Sequence, residues 1–110
     1  MSDTPVLDLL ANMTALSIEQ SSLNGPTLAL VRLGALVASD APPASYLTNI
    51  GAAAEMGLDL EHVQAVLIAV APIVGTARVM TAAGNIAQAL GVAVAVLEEE
   101  LAAALQDEEA

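Results

Sequence analysis

Residues 39–59 read SDAPPASYLTNIGAAAEMGLD, and the punctuation of this stretch decides the fold. Asp40 precedes Pro42 and Pro43, which reads as a helix start. An Asp caps the segment, and the prolines sit in a first turn where a missing N–H costs little. Gly57 reads as a left-handed helix stop. Asp59 then serves as the next N-cap, with Glu61 in a first turn that favours negative charge. Between the caps lie Tyr46, Asn49 and a run of small residues at 51–54. Small side chains let helix axes approach closely. The stretch predicts one helix, closed at both ends, inside a helical chain.

Upstream, Thr4 and Pro5 read as N-cap and first helical residue. Val6, Leu9, Leu10, Met13 and Leu16 follow with helical spacing. Ser17 to Gln20 fits a capping box, which places the start of a short second helix at Ile18. A turn spans residues 21–25. Pro26 opens a helix, with Asn24 or Gly25 before it; its apolar face is Leu30, Leu33, Leu36 and Val37, and it ends near Ser39. Arg32, its sole charge, is expected at a rim.

Downstream, Val63, Val66, Leu67, Val70 and Ala71 form the face of the helix that Asp59 opens. Pro72 predicts a kink or an early end there, with Gly75 as the close. Thr76 is expected to cap a helix through Ala89 that Gly91 stops. A final helix runs from Val92 to Leu105, and the acidic tail frays over about 106–110. Val92, Val94 and Val96 alternate as a strand would, but Ala and Glu surround them and no partner strand exists. The expected fold is all-α: a single domain over residues 1–110, a helical bundle of about six helices.

Composition narrows the function classes. With glycine counted and tyrosine left out, about 62% of the chain is apolar, against about 45–50% in ordinary soluble domains. Ala, Leu and Val supply this; there is no Phe or Trp. A small domain has limited interior, so the surplus points to a membrane or a subunit interface. Val79 to Leu97 carries no charge and approaches spanning length. Thr81, Asn85 and Gln88 nevertheless put a polar stripe on one face, and Gly84 and Gly91 interrupt the run. Val63 to Ala77 is shorter and is broken by Pro72 and Gly75. The reading is therefore an interface, with no membrane partner.

Thirteen acids face two arginines, for a net charge of −11. Nucleic acids and anionic membranes need basic patches, so neither is an expected partner. No cysteine is present, which excludes disulfides, thiolate chemistry and cysteine-held metal. The single His62 cannot build a histidine cluster. Three consecutive acids at Glu98–Glu100 point in different directions around a helix and do not converge on a cation. Neither a metal nor a cofactor is expected. The acidic start MSDTP lacks the basic region of a signal peptide, and the default location is the cytoplasm.

The segments LNGPTLALVRLGALVA (Leu23–Ala38) and NIGAAAEMGLDLEHVQAVLIAVAPIVGTARV (Asn49–Val79) resemble the carboxymuconolactone decarboxylase family, which includes the thiol-dependent alkylhydroperoxidases. That family shows a helix rich in Leu and Ala, then a reactive helix ending in A-x-x-x-G, then a capped helix of the form x-x-E-x-V-x-x-V-L. Ala53 and Gly57 supply the first motif; Glu61, Val63, Val66 and Leu67 supply the second. The resemblance covers residues 4–92. It implies the alkylhydroperoxidase-D-like fold and trimers or hexamers in which helices of neighbouring subunits interleave.

Counting back from Gly57, the resemblance puts the family's two cysteines at Pro42 and Ser45, its histidine at Asn49 and its acidic residue at Ala29. None keeps the chemistry. Pro42 has no reactive group, and Ser45 has a hydroxyl with no identified base beside it. Asn49 cannot exchange a proton near neutral pH. Thiol peroxidase activity is not expected, because its nucleophile is a thiolate.

Ser45, Tyr46, Asn49 and Arg78 remain as a candidate pocket. Tyr46 and Asn49 stand one turn apart. They orient a small ligand in one reading; in the other they are a buried pair satisfied by backbone or by a neighbouring subunit, and the second is favoured. Arg78 meets an anionic ligand or, preferably, pairs with a carboxylate. His62 reads as a solvated helix-start residue, and Met13, Met56 and Met80 as core or interface filler. Two functions follow. One is a non-catalytic homo-oligomer, an assembly unit or a unit that binds a small ligand or a protein partner. The other is a lactone decarboxylase-like or other cofactor-free enzyme with a centre rebuilt at Tyr46 and Asn49, with Ser45 as a further candidate. The lack of lysine and the alanine content equally suit an oligomer engineered on a natural scaffold.

Overall fold

The computed structural model describes residues 3–109, without the side chains at 92–94, 96, 97 and 107–109. The fraying expected near 106–110 lies largely outside the described side chains. Five helices account for the described secondary structure: α1 (Pro5–Gln20), α2 (Gly25–Ala38), α3 (Pro43–Glu55), α4 (Leu60–Val74) and α5 (Thr76–Glu109). The all-α single domain expected from the sequence is the observed one. Among the described residues no helix is long and apolar enough to cross a membrane.

Two expected boundaries are crossed. α1 runs through Ser17 and Ile18 to Gln20, so the capping box there is not used; a local cap yields where the preceding turns continue the ladder unbroken. α5 passes through Gly91, and positive φ among the glycines is confined to Gly57 and Gly75. Glycine in a helix interior costs about 1 kcal/mol against Ala, and α5 bears that cost at Gly84 and Gly91. The backbone at Val92, Val94 and Val96 is helical.

Caps explain the other joins. Asn24 Oδ1 accepts from Thr27 N–H at 2.9 Å and opens α2. Gly57, at φ 82°, follows α3; Gly57 N–H donates to Ala54 O and Leu58 N–H to Ala53 O. That is the paired closure of a left-handed stop, as the sequence predicts. The same closure ends α2, where Asp40 N–H donates to Val37 O and Ala41 N–H to Leu36 O. Asp40 itself sits at φ 57°. It therefore closes α2 instead of capping α3, correcting the sequence reading: its backbone is already committed to the left-handed turn. Pro42 takes the N-cap position of α3 without a side-chain cap.

α4 continues past Pro72 to Val74, and Gly75 follows at φ 90°. Gly75 N–H donates to Ala71 O, while Gly75 O accepts from Val79 N–H. One glycine thus ends α4 and begins α5, so Thr76 is the first residue of α5 and not its cap.

α2 packs against both α4 and α3, and α5 lies chiefly along α3 while also touching α4 and α2. Their shared interior is Leu33 and Val37 from α2, Tyr46 from α3, Val63 and Val66 from α4, and Ala82, Ile86 and Ala89 from α5, with Ala41 at the α2–α3 corner. The 3–4 spacing on α5 lays one narrow, small-residue face on the others. α1 has no comparable packing against any of them, and none of its residues is buried.

The left-handed corner gives a direct test. Asp tolerates this backbone better than most residues, glycine better still. Asp40→Gly is expected to stabilise the fold by up to about 1 kcal/mol and Asp40→Val to destabilise it by about 1–2 kcal/mol, read as opposite shifts in thermal melting.

Candidate functional site

The sequence candidates on α3 divide between two surroundings. Tyr46 faces inward and is fully buried. Its hydroxyl finds no hydrogen-bond partner among the described residues. Burial, and secondarily the Asp40 carboxylate, pushes the phenol above its usual range. Ser45 is half-buried, and its N–H donates to Pro42 O at 3.1 Å. Asn49, also half-buried, donates from Nδ2 to Ser45 O at 2.8 Å. Its amide thus has a backbone partner, whereas the Tyr46 hydroxyl has none.

Asn49 meets Ala29 across a small cavity of about 110 Å³ between α2 and α3. These are the positions that the family resemblance pairs as histidine and acid. Arg32 lines the same cavity, with Gly25, Met56 and Ile18 around it. Its Nη2 donates to Ser17 Oγ at 2.9 Å. Among the described residues no carboxylate lies within salt-bridge distance of it. Arg32 thus lines the cavity beside Asn49, whereas its spacing on α2 places it at a rim. It stands one turn after Ala29 on α2.

Arg78 does not line that cavity. Its Nη1 donates to Ala38 O, at the C-terminal end of α2. The carboxylate partner expected for it is replaced by a backbone carbonyl, because a helix C-terminus presents unpaired oxygens and partial negative charge. Asn85, on the same helix, donates from Nδ2 to Ala41 O at 3.2 Å. The polar stripe on α5 therefore serves the α2–α3 corner at Asn85.

His62 takes part in a cap. Its N–H donates to Asp59 Oδ1 at 3.2 Å. Nδ1 lies 2.7 Å from Asp59 Oδ1 and 3.2 Å from Asp59 N. A protonated ring donates to the carboxylate; a neutral ring with its proton on Nε2 accepts from the backbone instead. The His62 hydrogen bond is the main cause holding the Asp59 carboxyl below its ordinary 3.8.

His62 also stands at one end of an apolar groove of about 510 Å³ between α2 and α4. α2 contributes Thr27, Leu30, Val31 and Gly34; α4 contributes Ala65, Val66, Ala69 and Val70. Sequence reasoning missed this groove. The readable sign was that α4 is apolar all round from Ala65 to Val74, the pattern of a helix covered on every side.

Tyr46→Phe removes the orphan hydroxyl and keeps the packing. It is expected to leave stability unchanged or raise it by up to about 1 kcal/mol in melts at matched protein concentration. A loss above about 1 kcal/mol would show that the hydroxyl is bonded by water or by another subunit. No protein-family profile, curated protein or solved structure matches the chain.

Proposed function

We propose that this protein is a non-catalytic homo-oligomer of the carboxymuconolactone decarboxylase type, acting as an assembly unit, with a second copy of itself as the principal partner. The observation that carries this reading is surplus surface. A compact monomer of 11.0 kDa would expose about 5,600 Å²; this chain exposes 7722 Å². Its radius of gyration is 16.4 Å, against about 13 Å for a compact chain of this length. The surplus of about 2,100 Å² per chain is the scale that obligate interfaces bury.

The character of that surface supports the same reading. Leu9, Leu10, Met13, Leu16, Ile68, Ile73 and Met80 are all more than half exposed. Large apolar side chains exposed in such number on α1 and α4 mark interaction sites. The family resemblance implies trimers or hexamers, so native mass spectrometry is expected to give a multiple of three chains; a stable monomer at micromolar concentration overturns the proposal. Because each copy carries −11, raising ionic strength from about 0.01 M to about 0.15 M shortens the screening length from about 30 Å to about 8 Å and is expected to tighten assembly.

One placement favours a second reading, a small anionic ligand held between Arg32 and Asn49. The cavity of about 110 Å³ suits a compact carboxylate, for which a guanidinium is the natural partner. Calorimetric titration with small carboxylates is expected to show saturable binding that Arg32→Gln abolishes. Absence of any saturable heat at millimolar ligand removes this reading and leaves the assembly reading untouched.

A further inference from the structure

The least supported element of the fold is α1. Val6, Leu9, Leu10, Met13 and Leu16 form one stripe along it and are 68, 59, 51, 56 and 53% exposed. Asp8, Asn12 and Glu19 flank that stripe, and Leu7 and Ile18, 63 and 54% exposed, lie across the helix from it, so most of the α1 surface is apolar and none of its residues is buried. Isolated helices of this length are marginal in water and owe their stability to packing of an amphipathic face. α1 therefore calls for a trough lined by apolar side chains.

The α2–α4 groove is such a trough. Gly34 lets α2 and α4 approach closely at its base, where an added Cβ would meet Val70 Cγ1 at 3.4 Å and Val66 Cγ1 at 3.8 Å. Ile73, 86% exposed, extends the α4 wall along the same side of that helix. Among the residues lining the groove, His62 is the only titratable one, so the floor imposes no charge on an apolar guest.

The chain's own α1 is on the wrong side to fill it. Ile18, at the end of α1, packs over Leu28, Ala29 and Arg32, and Ser17 is bonded to Arg32. At 3.6 residues per turn these α2 positions lie roughly opposite Thr27, Leu30, Val31 and Gly34. The link at 21–24 is too short to carry α1 around α2 while that end stays attached. The occupant must come from another molecule.

We infer that α1 of one copy lies in the α2–α4 groove of a second copy. This rests on the assembly reading and specifies its contact. Each chain then both donates a helix and receives one. Both unpartnered surfaces are covered at once, which suits a surplus of about 2,100 Å² better than a single standard contact of about 800 Å² per partner. A contact between two different patches repeats around a closed ring or is exchanged reciprocally by two copies.

The cysteine-free chain makes the test clean. Met13→Cys and Ala69→Cys chains, mixed and oxidised, are expected to form a disulfide-linked pair on a non-reducing gel. Asp8→Cys, on the polar side of α1, is expected not to link to Ala69→Cys. Leu9→Glu combined with Met13→Glu, both at exposed positions, is expected to reduce the assembly to single chains while circular dichroism still shows a folded helical body. Linking of Met13→Cys chains to one another without linking to Ala69→Cys overturns the inference. So does an unchanged assembly mass in the double Glu variant; in both cases the assembly reading survives. A wild-type chain that stays single at micromolar concentration overturns both.

Discussion

The corner between α2 and α3 is the constraint on which the rest of the structure depends. Asp40 holds a left-handed backbone, and the chain reverses within a few residues. Two groups on α5 fasten that corner: Arg78 on Ala38 O and Asn85 on Ala41 O. Beneath it sit Val37 and Tyr46, the two largest fully buried side chains. The polar bonds fix the register of α5, and the buried pair supplies the apolar area that makes the register favourable. If α5 slid by a turn, both carbonyls would lose their donors and Ile86 would leave the interior.

This arrangement explains how a chain so rich in apolar residues buries so few of them. The contacts around the corner consume one face each of α2, α3 and α5. They leave α1 without a partner and α4 covered on one side. The interior is built mostly from Ala and Val, with Tyr46 its one aromatic side chain, so it is thin, and much of the apolar content remains outside. The acidic charge, at −11, offsets the tendency of that exterior to associate without specificity.

The arrangement also separates structure from chemistry. Tyr46, the one aromatic side chain, is consumed by the core. Arg78 is consumed by a helix end, and Asn49 by its own backbone. Arg32 alone retains a charged group at a cavity with no carboxylate nearby among the described residues. Arg32 and Asn49 are the two polar side chains that line this cavity.

Helix identity was legible because caps and apolar spacing are local. Asn24, Gly57, Asp59 and Gly75 mark joins through their own backbone and side-chain bonds, which involve neighbours a few residues away. Ser17, Asp40, Thr76 and Gly91 carry the same local signals, but the chain does not use them as the caps or stop they resemble. Whether a cap is used depends on whether the next turn gains more by continuing, and tertiary packing decides that. The site was legible only in part for the same reason. Asn49 and Ala29 could be placed, but Arg32 joins them through the approach of α2 to α3. Likewise the α2–α4 groove and the bare face of α1 exist only once four helices have packed and one has not. The sequence by itself determined that the chain is helical, cysteine-free and richer in apolar residues than a small interior can hold. Tertiary structure decided which apolar faces meet within the chain and which stay exposed, because that depends on the direction of each helix, which no local pattern encodes.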